Sequence, residues 1–168
     1  MKIRTDFVTN SSSSSFILAF KDEEDYSKFT KECSEYDYKA VAKLMDRCRK
    51  RAEGTMDEIK QAAIDNIRHW LTWEPANEYF KKHIDQSLDF RTKMHLEDEI
   101  KATDEYKAFI EETLAGTRYA EYVERINSAE IVINDTIWDS SGGILEYAIR
   151  HDILRSFYPW FVYQEDIG

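Results

Sequence analysis

Apolar positions along this chain recur in two rhythms, one extended and one helical. Phe16-Ile17-Leu18-Ala19-Phe20 is a continuous apolar run of strand length, bounded by serines and by Lys21, and it predicts a buried strand. From Lys21 the period changes. Asp22 is placed to cap a helix whose stripe runs Tyr26, Phe29, Cys33 and Tyr36. Val41, Leu44, Met45 and Cys48 continue a helical stripe after a break near Ser34 to Asp37. Gly54 stops it, and Thr55-Met56-Asp57-Glu58 has the form of a capping box. The helix that follows presents Ile59, Ala63, Ile67, Trp70 and Leu71, and it is expected to end near Glu74 because Pro75 disfavours helical geometry in the residue before it. Pro75 then suits the first turn of a further helix carrying Tyr79, Phe80, His83 and Ile84. Between Ser87 and Thr103 the pattern weakens, with Leu88, Phe90, Met94, Leu96 and Ile100 fitting neither rhythm. Thr103 or Asp104 opens a clearer helix with Tyr106, Phe109, Ile110 and Leu114, closed by Gly116, and another runs through Tyr119, Tyr122, Val123 and Ile126.

The last third returns to extended periodicity. Ala129 to Asn134 is rich in β-branched residues and too short for a separate helix, so it predicts a second strand. After Asp135-Thr136-Ile137-Trp138 comes a turn cluster, Asp139-Ser140-Ser141-Gly142-Gly143, and then an amphipathic helix with Leu145, Ala148, Ile149 and Ile153 inward. Pro159 leads into Trp160-Phe161-Val162-Tyr163, the predicted closing strand. Three strands cannot bury their apolar faces alone. The expected fold is therefore α+β, a predominantly helical single domain over residues 1–168 with a small sheet of about three strands. Residues 1–14 are expected to form a flexible or extended N-terminal segment, and there is no internal repeat of solenoid period.

Composition sharpens this. With 168 residues and 42% hydrophobic content the chain can close one sizeable core, and an aromatic share of 14% means that large rings supply much of it. The formal net charge of −10 repels a phosphate backbone, which disfavours nucleic acid as a partner. Acids and bases alternate within helical segments and do not form blocks, so the charge reads as solubilising more than as nucleic-acid mimicry. Cys33 and Cys48 are the only cysteines and form no CxxC, which argues for reduced structural thiols. The start lacks a signal-peptide apolar run and no stretch approaches bilayer length; a cytoplasmic protein without membrane contact is expected.

The five serines Ser11 to Ser15, framed by Phe7-Val8-Thr9-Asn10 and Phe16-Ile17, would in isolation read as a solvated linker or loop. The string from Thr5 to Ile17 resembles the opening of small uncharacterised bacterial and mobile-element proteins, which share a near-identical run of this form and then diverge. The resemblance covers less than a tenth of the chain. It implies a bacterial source and carries no fold, activity or ligand.

Chemistry is sparsely marked. The segment from Ile131 to Ile149 is the most site-like, because a strand end, an acidic turn and a helix start converge polar groups there. It is neither GxxxxGK[ST] nor GxGxxG, and Asp135 and Asp139 would repel a bare phosphate. A divalent metal suits it better: Asp135, Asp139 and Glu146 would supply hard oxygen ligands, with His151 and Asp152 farther off. The plainer account is that Asp139 or a serine caps the helix, Asp135 closes a turn, and Glu146 is a solvated acid. His69, His83, His95 and His151 form no HxxH, HxH or HExxH, and no serine has a partnering base. Trp70, Trp73, Tyr79 and Phe80 around Pro75 would form either a partner-binding patch or the seal of a helix corner.

Three functions follow. The first is a non-enzymatic accessory or regulatory module acting through a protein partner, needing no cofactor. The second is a metal-assisted hydrolase or nucleotide-modifying enzyme using Asp135, Asp139 and Glu146 with a divalent metal. In the third the serine tract is modified or processed and the folded body is carried or recognised.

Overall fold

A computed structural model describes residues 13–35, 39–138 and 160–167. In chain order the elements are β1 (Ser13–Phe20), α1 (Glu23–Glu35), α2 (Lys39–Arg51), α3 (Met56–His83), α4 (Phe90–Ala102), α5 (Asp104–Ala115), α6 (Tyr119–Ser128), β2 (Ile131–Trp138) and β3 (Phe161–Ile167). The fold is α+β, predominantly helical, with one three-stranded antiparallel sheet. By contact density the chain divides into two compact units, residues 1–62 with 125–168 and residues 63–124.

The first unit holds the sheet, ordered β2-β1-β3 with β1 in the centre. β1 pairs with β2 from Ser13 opposite Trp138 to Phe20 opposite Ile131. It pairs with β3 from Ser13 opposite Ile167 to Leu18 opposite Phe161, with a shift of register between Ile17 and Leu18. Alternation sends Phe16, Leu18 and Phe20 to one face, where Ile131 and Ile133 join them. Onto that face α1 places Tyr26, Phe29 and Cys33, and α2 places Val41, Met45 and Cys48. Phe29 lies 5.2 Å from Phe20 and 5.9 Å from Trp160, ring centre to ring centre. Ser15, Ile17 and Val132, which alternate to the opposite face, are buried as well.

All three strands run longer than their apolar runs. The serine tract reads as a solvated loop in sequence, yet Ser13 to Ser15 form the first residues of β1, and Ser15 is buried. Serine has little preference for a strand. Here the ladders to β2 and β3 on both sides satisfy the backbone of a central strand, and tertiary pairing overrides composition.

The local signals hold at most helix ends. Asp22 accepts from the Asp25 amide at 2.9 Å and so caps α1. Thr55 and Glu58 form the reciprocal capping box: the Thr55 amide donates to Glu58 at 2.7 Å and the Glu58 amide donates to Thr55 Oγ1 at 3.3 Å. Gly54 before them sits at φ 97°, in the left-handed region that glycine tolerates. One expectation fails. α3 does not end at Glu74 but runs through Pro75 to His83. Ala63 and Ile67 are buried before the proline and Phe80 after it, so a single helix has buried residues in both halves. Proline removes one backbone bond and crowds the preceding turn, a cost of about 3 kcal/mol that this burial must offset.

The second unit is helical. Phe80 stacks on Tyr106 at 5.2 Å, Tyr79 lies 4.6 Å from Phe109, and Arg68 on α3 reaches Glu111 on α5 at 2.6 Å. Ile110 and Leu114 complete the buried face of α5. The segment that fits neither rhythm in sequence is α4. Asp89 caps it by accepting from the Arg91 and Thr92 amides, and none of its residues is buried. No helix among the described residues is long and apolar enough to cross a membrane.

Candidate functional site

Of the three carboxylates proposed for a metal, Asp135 alone lies within the described residues. It does not close a turn. It stands half-buried inside β2, opposite Phe16, on the strand face that carries Ile131 and Ile133. The reason is the length of β1: with Ser13 to Ser15 extended, β2 has partners through Trp138, and Asp135 lies within the ladder. Asp139 and Glu146, the turn cluster, the helix after it, His151 and Asp152 all fall outside the described residues. Among the described residues no three His, Cys, Asp or Glu side chains converge as a metal-ligand group.

The remaining histidines are separate. His69 meets Trp73 edge-on at 5.3 Å, His83 stacks on Tyr79 at 4.0 Å with Nδ1 2.7 Å from the Tyr79 carbonyl, and His95 lies 3.8 Å from Glu99. Cys33 and Cys48 are both buried, as their stripe positions imply. Burial, with Glu32 adding to it, pushes the Cys33 thiol up to about 12, so it holds its proton and is a poor nucleophile at neutral pH.

The most connected polar cluster links α1 to α2. Tyr26 donates to Asp46 at 2.5 Å, the Arg49 guanidinium lies 4.8 Å above the Tyr26 ring, and Arg49 donates through both terminal nitrogens to Glu23. Burial first, then the Asp46 bond, raises the Tyr26 hydroxyl above the usual phenol value. Arg49 holds Glu23 below the usual carboxylate value. The phenol is locked as a donor, which makes it a strut between helices and removes it as a base.

An open recess of about 330 Å³ at one end of the sheet is lined by Ala19, Lys21, Asp25, Arg125, Ala129 and Trp160, among others. Trp160 belongs to the core, and its buried indole N–H has no hydrogen-bond partner. A second recess, of about 400 Å³, lies over α1 and α2 and is lined by Thr30, Lys31, Ser34, Lys39 and Lys43, among others. Neither brings a nucleophile and a base together.

The helical unit offers a surface instead. Trp73 is 58% exposed, Phe90 75% and Met94 48%, and these are the large apolar side chains left in water among the described residues. Phe90 and Met94 lie one turn apart on α4. Trp73 belongs to the aromatic group around Pro75; its neighbours are covered to differing degrees, with Phe80 buried and Trp70 and Tyr79 half-buried. Sequence reasoning missed Phe90 and Met94. Asp89 followed by Thr92, a cap that needs no apolar stripe, was the signal that a surface helix begins there. In comparisons with protein-family models, curated proteins and solved structures, nothing matches this chain.

Proposed function

We propose that this chain is a non-enzymatic accessory or regulatory module that works by binding another protein. The observation that carries the reading is the placement of Trp73, Phe90 and Met94: all three belong to the helical unit, and all three are exposed. Exposed aromatic and Met side chains are enriched where proteins meet. The resemblance of Thr5 to Ile17 supports a bacterial setting. The net charge of −10 supports a protein partner over a nucleic acid. The metal-dependent alternative needs Asp139 and Glu146 beside Asp135, and nothing among the described residues favours it.

The test uses immobilised chain and extract of the native host. The native chain is expected to retain a stoichiometric partner, and the triple variant Trp73→Ser, Phe90→Ser, Met94→Ser is expected to lose it while melting at the same temperature. A chain that retains no partner and turns over a substrate on its own would refute the reading.

A further inference from the structure

The order of charges along α4 runs against its own dipole. A helix favours acids in its first turn and bases in its last. α4 has no acid in its first turn; it carries Arg91, Lys93 and His95 in its first half and Glu97, Asp98 and Glu99 in its second. Some of these charges are used locally. The Lys93 amine donates to the Gln86 carbonyl at 2.6 Å, and Lys101 lies 3.2 Å from Asp98 and 3.9 Å from Glu97. Among the described residues Arg91 has no ion-pair partner, although it is exposed at the basic end of a helix.

Arg91, Met94, His95 and Asp98 fall on one face, because steps of three and four residues return to the same side of a helix. All four are exposed, and Phe90 flanks them. Leu96 and Ile100, on the other side, are half-buried. The outward face therefore reads base, apolar centre, acid. Such a face is complementary to itself when reversed.

We propose that α4 pairs antiparallel with α4 of a second copy of this chain. A two-fold axis near Met94 and His95 sets Arg91 of each copy against Asp98 of the other. The proposal rests on reading the helical unit as a protein-binding surface, and it names the partner. A parallel pair would set base against base. In the antiparallel pair every contact occurs twice, as in any isologous interface. The net charge of −10 on each copy does not forbid this, because at physiological salt charges are screened beyond about 8 Å and the local order decides. A helix of this length spans about 20 Å, too little for a standard interface of about 800 Å² per partner, so the dimer is weak and depends on concentration.

Sedimentation equilibrium of the purified full chain, from micromolar to millimolar concentration, is the test. A reversible monomer–dimer equilibrium is expected. Arg91→Glu or Asp98→Arg alone should weaken it about tenfold, since each sets two pairs of like charges face to face. The double variant Arg91→Glu, Asp98→Arg should restore it to within about twofold of the native chain by re-forming both pairs reversed. Arg91→Glu favours the isolated helix through the dipole, so its melting should hold or rise while the dimer weakens, which separates lost pairing from misfolding; Asp98→Arg also gives up the Lys101 pair within the helix. A monomer at every concentration overturns the proposal, as does a dimer indifferent to Phe90→Ser and to both single changes, or one not rescued by the double variant. If a monomeric chain still retains a host protein through Trp73, Phe90 and Met94, self-pairing is wrong and the protein-binding reading stands. If it retains none, both fall.

Discussion

α1 and α4 are each thirteen residues long, yet α1 buries Tyr26, Phe29 and Cys33 while α4 buries nothing. The first belongs to the sheet-bearing unit and is held by packing: Phe29 touches Phe20, Tyr26 and Trp160, all of them buried. The second belongs to the helical unit and is held by local chemistry, the Asp89 cap at its start and the Lys101 pairs near its end. Isolated helices of this length are marginal in water, so a helix without buried residues is the part that opens first. What this teaches is a division of labour. The sheet unit spends its apolar side chains on stability, whereas the helical unit leaves three of its largest available for contact.

The largest effect that would test this contrast is Phe29→Ala. Removing a fully buried ring from the aromatic cluster should cost about 3–5 kcal/mol, read from denaturant unfolding of the full chain. A loss below about 1 kcal/mol would mean that the cluster does not hold the sheet unit together. Alkaline pH probes the same core. The Cys33 thiol is raised in the fold from its ordinary value of 9.0 to about 12 by burial. A raised value means that the folded state keeps the proton longer, so the stabilisation is complete below about pH 9 and is lost as pH climbs toward 12. The loss is on the order of a few kcal/mol. Tyr26, also raised, adds to the slope above pH 10. Cys33→Ala should flatten the part of the profile that begins near pH 9. An unchanged profile would show that the thiol is not sealed as its burial implies.

How much of this was legible depends on which forces set each element. α1, α5 and their caps were readable because Asp22, Thr103 and Gly116 act within one turn and the stripes Tyr26–Phe29–Cys33 and Tyr106–Ile110–Leu114 have a clear period. The sheet was readable in kind and not in extent. Ser13 to Ser15 and Thr136 to Trp138 become strand through pairing with each other, and no local property of a serine announces that. Asp135 was misplaced for the same reason. Pro75 misled because its local preference is strong, whereas the burial of Ile67 before it and Phe80 after it belongs to tertiary packing that no local signal reports. α4 was illegible by periodicity because its inward side, with Leu96 and Ile100, is only half-buried while Phe90 and Met94 stand in water and blur the stripe.

A smaller effect, of opposite sign, tests the helical unit. Pro75→Ala returns a backbone donor to α3 and removes ring crowding, and it should stabilise the chain by about 1–2 kcal/mol, less than the full propensity difference because the bound geometry has already adapted. Thr72, whose hydroxyl donates to the Arg68 carbonyl at 2.8 Å one turn before the proline, keeps its bond in either case. The readout is the urea midpoint together with hydrogen exchange along α3. Unchanged exchange on both sides of residue 75 would show that the helix is limited by its neighbours and not by its proline.

The smallest expected effect is the most pointed. Phe90 and Phe29 are the same residue type on helices of equal length, and they should differ by nearly the whole value of a buried ring. Phe90→Ser, measured in dilute protein, removes a side chain that is already 75% exposed and one step inside a cap made by Asp89. Serine at the first helical turn costs little, so the change in stability should stay within about 0.5 kcal/mol. Should it instead cost as much as a core truncation, Phe90 would be anchoring α4 to its own unit, and its exposure would no longer support a role in contact. Near-silence in stability combined with a loss of association is the pattern that makes the helical unit a binding surface and the sheet unit its support.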